Sequence, residues 1–248
     1  PPAEKREAIL PTFVDESVTV HSGDAAAARL KAKRDAPSLS CSPERWQEAQ
    51  RYERRTWMEL HREMSDDRNL FHAEAMGGYE ALRGCGARTA IEVGCGPFTN
   101  WRLIRNVVDA CNVTLCDPLI VAYMVHPGCA YPRTAPLWSW TVSEARAKAG
   151  RFDIVVCINV AEHCDEFDLP WLLDMCNHGG HVVVGERVYD DWRVDEHCRE
   201  HYDAGHPLRL LRSQWDAFRA TVDVVHEATR PGDDGGYSDL RYLIGRKR

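Results

Sequence analysis

One stretch constrains this chain more than any other: Thr89-Ala90-Ile91-Glu92-Val93-Gly94-Cys95-Gly96-Pro97-Phe98. A short apolar run carries an acid near its end, breaks into Gly-x-Gly, and leads into the helix-compatible run from Asn100 to Val108. That order reads as strand, tight turn and helix, with glycines where a backbone must approach a ligand closely. By itself the turn is weak evidence, because many strand–helix junctions need glycine for geometry alone. Asp117 sharpens it. It ends the next apolar run, Val113-Thr114-Leu115-Cys116, about twenty residues beyond the glycines. An acid there can accept both hydroxyls of a ribose lying across the first turn. The loop reads as a site for a nucleoside-containing cofactor.

The details disfavour a dinucleotide. Such a loop wants a third glycine so that the helix packs close beneath a pyrophosphate, but Pro97, Phe98 and Thr99 follow Gly96. Glu92 stands before the first glycine, where a carboxylate can meet an ammonium group. A ribose, a cationic amino-acid tail and no phosphate describe S-adenosylmethionine.

Three strings in order, Glu92-x-Gly94-x-Gly96-Pro97, then Asp117-Pro118-Leu119, then Phe152-Asp153-Ile154-Val155-Val156-Cys157-Ile158-Asn159-Val160-Ala161-Glu162-His163, resemble the motifs of the class I S-adenosylmethionine-dependent methyltransferases. The likeness runs from about Ala87 to the C-terminus and is nearest to the subgroup that modifies small molecules and sugars. Phe98, where many members carry a glycine, is its one departure. The resemblance implies an α/β fold, a Rossmann-like doubly wound seven-stranded sheet with an N-terminal helical extension. It divides the chain into an arm and helical lid over 1–86 and a cofactor-binding domain over 87–248. The cofactor-binding positions it implies are Glu92, Gly94, Cys95, Gly96, Pro97, Asp117, Pro118, Leu119, Ser143, Glu144, Asn159 and Val160, with Ser143 and Glu144 toward the adenine end.

Composition agrees. A chain of 248 residues holds one large α/β domain plus an extension. Its formal net charge of −7 gives no electrostatic footprint for nucleic acid. No apolar run approaches the ~20 residues of a membrane helix, and Pro1-Pro2-Ala3-Glu4-Lys5-Arg6 lacks a signal-peptide pattern. The ten cysteines form no C-x-x-C pair, and Cys116 and Cys157 fall inside strands as small apolar residues. Free thiols in a chain this large fit a reducing compartment, so a cytoplasmic location is expected.

Along the chain, Ala25-Ala26-Ala27-Ala28 marks a loosely held arm with a short helix near 24–34. Ser42-Pro43-Glu44 starts a firmer helix, with an N-cap, proline at the first position and an acid in the first turn. Trp46, Ala49, Trp57, Leu60 and Met64 share its face, which packing against the main domain explains. By the resemblance, Trp46, Tyr52 or Trp57 lines the pocket instead. Gly77-Gly78 and Gly84-Cys85-Gly86 bracket a second helix. Strands are expected at Thr89–Val93, Asn112–Asp117, Leu137–Val142, Phe152–Asn159, His181–Glu186, Val222–His226 and Leu240–Gly245, with a helix over Leu208–Phe218. The last two strands flank Arg230-Pro231-Gly232-Asp233-Asp234-Gly235-Gly236 and read as an antiparallel hairpin.

Methyl transfer from a sulfonium requires alignment and, for a hydroxyl acceptor, a base. His163 suits that role at neutral pH, against the alternative that Glu162-His163 is structural. His206, before Pro207-Leu208, is the second candidate base. The segment from Glu186 to Pro207 crowds acids, histidines and aromatics on the catalytic edge. His197 and His201 share a helix face, and with Glu162, His163, Asp190 or Asp191 they raise a Mg²⁺ site. Recognition of a polar substrate by hydrogen bonds alone is the preferred reading, so no metal is assigned.

These observations point to an O-methyltransferase acting on a small polar acceptor such as a sugar or sugar-derived metabolite, with a homo-oligomer allowed. Two alternatives stay open: an N-methyltransferase or natural-product O-methyltransferase, and a cofactor-binding but inactive partner subunit.

Overall fold

The computed structural model describes residues 40–60, 67–109, 111–190, 205–232 and 238–248. The expected helices at 24–34, the histidines His197 and His201, Asp191, and the centre of the last turn lie outside them.

Strands β1 (Thr89–Val93), β2 (Asn112–Cys116), β3 (Leu137–Trp138), β4 (Phe152–Ile158), β5 (Cys176–Tyr189), β6 (Leu210–Leu211), β7 (Val222–Pro231) and β8 (Ser238–Lys247) build one sheet. Its order is β3-β2-β1-β4-β5-β8-β7, with β6 paired to the end of β5. Strands β1 to β6 pair in parallel, whereas β8 pairs antiparallel with both β5 and β7. The order reverses between β1 and β4, the point at which an open α/β sheet leaves a crevice at its carboxyl edge.

Period-2 alternation puts the strand residues into two cores. Ile91, Val93, Val155, Cys157, Val182 and Val184 face one core, shared with helices α5 (Val142–Lys148), α6 (Pro170–Asp174) and α7 (Arg212–Arg219). Ala90, Ile154, Val156, Ile158 and Val183 face the other. There the partners are α3 (Trp101–Ile104), α4 (Ile120–Tyr123), the end of α2 (Asp67–Ala75) and the 3₁₀ turn Gly77–Leu82. Most of these side chains are fully buried, each apolar one contributing about 1.5–3 kcal/mol. Met76, Tyr79 and Leu82 are part of the second core, so the stretch before β1 is built into the domain.

The observed elements differ from expectation in ways local chemistry explains. Helix α1 (Pro43–Arg55) begins as read, Ser42 Oγ accepting from Arg45 N, and passes into a π-helical turn, Thr56–Leu60. β3 stops at Trp138, short of the expected Val142, because Thr141 caps α5 and its hydroxyl accepts from Glu144 N. Leu210–Leu211 extends as an eighth strand where a helix was expected, since Leu208 and Leu210 are drawn into the core beside β5. β5, β7 and β8 outrun their expected limits because β8 pairs along its length with both neighbours, unbroken with β5 and across a bulge between Val224 and His226 with β7. Only the short α3 forms within Asn100–Val108. The nine described cysteines are free, and five are buried. Among the described residues no helix is long and apolar enough to cross a membrane.

Candidate active site

A cleft opens at the carboxyl edge over β1 and β4. Its floor is the loop after β1: Gly94, Cys95, Gly96 and Pro97 line it, together with Phe98. Gly94 adopts φ +65°, and a Cβ there would lie 2.5 Å from Val160 Cγ1, so only glycine lets the two loops pass. At Gly96, φ +54°, a Cβ would meet nothing within 4 Å: open space lies over this backbone.

Asp117 directly follows β2 and lines the cleft with Pro118 and Leu119. Its oxygens each take one backbone N–H, Oδ2 from Gly96 at 3.1 Å and Oδ1 from Leu119 at 2.8 Å. An ionised carboxylate offers about four acceptor positions, which leaves one on each oxygen for a diol. Burial pushes its pKa up to about 7, against the pull of those two N–H groups.

Glu92 corrects the sequence reading. It is fully buried and absent from the cleft wall. Its carboxylate accepts from Thr99 Oγ1, from Asn100 N at 2.8 Å and from Trp101 N at 3.0 Å. The acid closes the loop into α3 and has no face toward an ammonium group. Ser143 and Glu144 are corrected too. Ser143 pairs with Thr141 Oγ1, and Glu144 completes the α5 capping box and binds Lys148 at 2.6 Å. Trp140, Thr141 and Val142 line the cleft in their place.

Asn159 and Val160 line it from the end of β4, where Asn159 turns the chain with φ 59°. Glu186 of β5 holds this turn from below, accepting from Val160 N and Ala161 N at 3.1 Å. His163 also lines the cleft. Its Nδ1 lies 3.2 Å from the Gly205 carbonyl and 3.6 Å from Glu53 Oε2. A carbonyl only accepts, so Nδ1 carries the hydrogen and Nε2 keeps its lone pair, 3.4 Å from Asn159 Nδ2. Burial lowers the His163 pKa, favouring the neutral ring. His206 is not in the wall: its ring meets the His163 ring edge-on at 4.4 Å.

Residues the sequence reading missed complete the wall. Gln50 and Glu53 join Trp46 and Trp57 on one stripe of α1 and its π-turn, while Tyr52 does not reach the cleft. Their spacing of four, three and four was the available signal. Gln50 Nε2 donates to the His163 carbonyl at 3.3 Å, and Gln50 Oε1 is buried with no partner. Arg68, Asn69 and His72 enter from α2. Phe98 meets Trp57 at 5.8 Å and joins it in a small core with Tyr123, so the residue in place of a third glycine seats the lid.

The carboxylates of the metal reading are otherwise engaged: Glu162 faces Arg187 at 3.7 Å and Asp190 pairs with Arg212. Among the described residues no group of three His, Cys, Asp or Glu is arranged to hold a metal.

No protein-family profile matches the chain, and no curated protein matches it. Solved structures do. The N-methyltransferase NodS from Bradyrhizobium japonicum WM9, in complex with S-adenosyl-L-homocysteine, superposes with TM-score 0.51 at 14% identity, over 71% of this chain and 85% of that one. The plantazolicin methyltransferase BpumL, in complex with a pentazolic desmethylPZN analogue and S-adenosylhomocysteine, does so with TM-score 0.51 at 10% identity, over 91% and 99%. The chain therefore has the fold of the class I S-adenosylmethionine-dependent methyltransferases.

Proposed function

We propose that this chain binds S-adenosylmethionine and transfers its methyl group to a hydroxyl of a small polar acceptor, a sugar or sugar-derived metabolite. The observation that carries the reading is one cleft holding both Asp117, a buried acid with free acceptor positions, and His163, a half-buried imidazole with a fixed tautomer. The residues suit the cofactor. Asp117 accepts the ribose hydroxyls, the open backbone at Gly96 leaves room for close approach, and Leu119 and Val160 flank it with apolar surface. The cofactor supplies an electrophilic methyl on a sulfonium; the protein aligns the acceptor and receives its proton. His163 Nε2 takes that proton, while the Gly205 carbonyl and Glu53 stabilise the resulting cation at Nδ1. Gln50 Oε1, buried beside His163 without a partner, supports an acceptor that brings a donor group. An amine acceptor is the second reading, favoured by the Glu53 carboxylate in the same wall. Methyl transfer from labelled cofactor, screened across sugar and metabolite pools, tests the reading. Mass spectrometry of the product separates oxygen from nitrogen, and no transfer to any pool would favour an inactive subunit.

The Asp117 pKa gives a pH test. Hydroxyls donating to the carboxylate favour its ionised form, so bound cofactor lowers the pKa from about 7. Affinity for S-adenosylhomocysteine should hold above that value and fall by up to about tenfold per pH unit below it. Calorimetry from pH 5.5 to 8 measures this, and Asp117→Asn should flatten the profile. A wild-type profile already flat would reject the role of Asp117.

Removal of divalent metal with EDTA should leave methyl transfer intact, since Glu162 and Asp190 face arginines. Loss of activity followed by recovery with Mg²⁺ would assign a metal after all.

A further inference from the structure

Residues 120–126 form a helical turn, α4 and its continuation, in which Met124 N donates to Ile120 O at 3.1 Å and His126 N to Tyr123 O at 2.9 Å. A turn at a protein surface ordinarily sets an apolar face against a polar one. This turn is apolar on both. Ile120 and Tyr123 are buried, whereas Val121, Met124 and Val125, spaced i, i+3, i+4, stand 68%, 56% and 73% exposed. Ala122 and Val125 share a groove with Arg51, Arg54 and Arg55 of α1 and with Met58 and Glu59 of its π-turn. All three arginines are exposed. Glu59, 3.8 Å from Arg55, is the one acid among the described residues that line this groove. The face is therefore apolar and net positive on a chain whose formal net charge is −7.

Protein and lipid both cover surfaces of this kind, and they differ in what they need. A stable protein interface takes about 20–30 residues a side, and this face offers only the ends of two neighbouring elements. A bilayer needs less: a few apolar side chains that enter the headgroup boundary, and cations that meet anionic phosphates. We propose that Val121, Met124 and Val125, with Arg51, Arg54 and Arg55, dock the protein on an anionic phospholipid surface. The same elements bear the cleft, since Leu119 and Tyr123 line it beside α4, as do Glu53 and Trp57 from α1 and its π-turn. Docking sets the lid side of the cleft against the bilayer and is independent of the reaction inside.

Sedimentation of the full chain with vesicles tests this. Vesicles of equal parts phosphatidylcholine and phosphatidylserine should carry the protein down, and phosphatidylcholine alone should leave it in the supernatant. Raising the salt from about 0.1 M to about 0.5 M should weaken binding about tenfold or more, because exposed charges are screened. Arg51→Gln/Arg54→Gln/Arg55→Gln should weaken it about 100-fold, at roughly fivefold for each cation near the surface. Val121→Ser/Val125→Ser keeps every charge and should weaken it about tenfold or more, through lost apolar contact. Both variants replace exposed side chains, so Tm should match wild type. No sedimentation with the anionic vesicles, equal sedimentation with the neutral ones, or either variant binding like wild type would overturn the assignment. So would a concentration-dependent dimer, seen by ultracentrifugation without lipid and abolished in the valine variant, which would give the face to a second copy of the chain.

Discussion

Replacing His163 with alanine should lower turnover on a hydroxyl acceptor by about 10²–10⁴-fold, the usual contribution of a general base. The dissociation constant for S-adenosylhomocysteine should change little, because Asp117 and the glycine loop follow other strands, β2 and β1. The geometry makes the role specific. With Nδ1 committed to the Gly205 carbonyl, Nε2 is the nitrogen with the lone pair, which accepts from Asn159 Nδ2 at a long 3.4 Å until an acceptor hydroxyl takes its place. Burial, the largest influence, lowers the His163 pKa below 6.5; Glu53 and Glu162 oppose it, and His206 and Arg68 reinforce it. The ring is thus neutral and competent at pH 7, and the acid limb of kcat should lie below 6.5. His206→Ala removes the edge contact on that ring but no cleft-lining group, so its loss should be smaller, with the limb moved upward. A His163→Ala enzyme with near-normal turnover would put the base elsewhere, or show that none is needed.

The strands and their turns were legible because each rests on local chemistry. Alternation marks β1 and β4, and Gly-x-Gly followed by an acid after β2 marks the crevice. What failed were assignments that depend on where a side chain points. Glu92 has the right type and spacing to meet a cationic tail, yet the nearest donors are the N–H groups of its own turn, and a buried carboxylate takes them. Glu144 likewise answers its own cap. Such competition is decided by distances of about three ångströms that a string of letters does not carry. The α1 stripe was only half legible, for a different reason. Trp46 and Trp57 read as packing or, by the resemblance, as pocket lining, and no cleft role was assigned to the polar Gln50 and Glu53 between them. Polar residues on an otherwise apolar stripe are the mark of a face that covers a wet cleft rather than a dry core.

Gly94→Ala should destabilise the fold by about 2–5 kcal/mol, from two separable causes. The left-handed backbone, φ +65°, costs a non-glycine residue about 1–2 kcal/mol. The new methyl would also stand 2.5 Å from Val160 Cγ1, and overpacking of that kind costs about 1–3 kcal/mol. Val160 cannot easily swing aside. It is β-branched, it is 5% exposed, and Glu186 fixes its backbone through Val160 N at 3.1 Å. Tm should therefore fall by roughly 5–15 °C. Removing the obstructing methyls tests the division: in Gly94→Ala/Val160→Ala the steric share should vanish while the backbone share remains. The double variant would then lose less than the two single losses added together, by about 1–3 kcal/mol. Simple additivity would assign the whole penalty to the backbone, and a wild-type Tm for Gly94→Ala would mean that the two loops do not meet as drawn. S-adenosylhomocysteine affinity should follow the same order, because Val160, pushed off Gly94, moves into the cleft that both residues line.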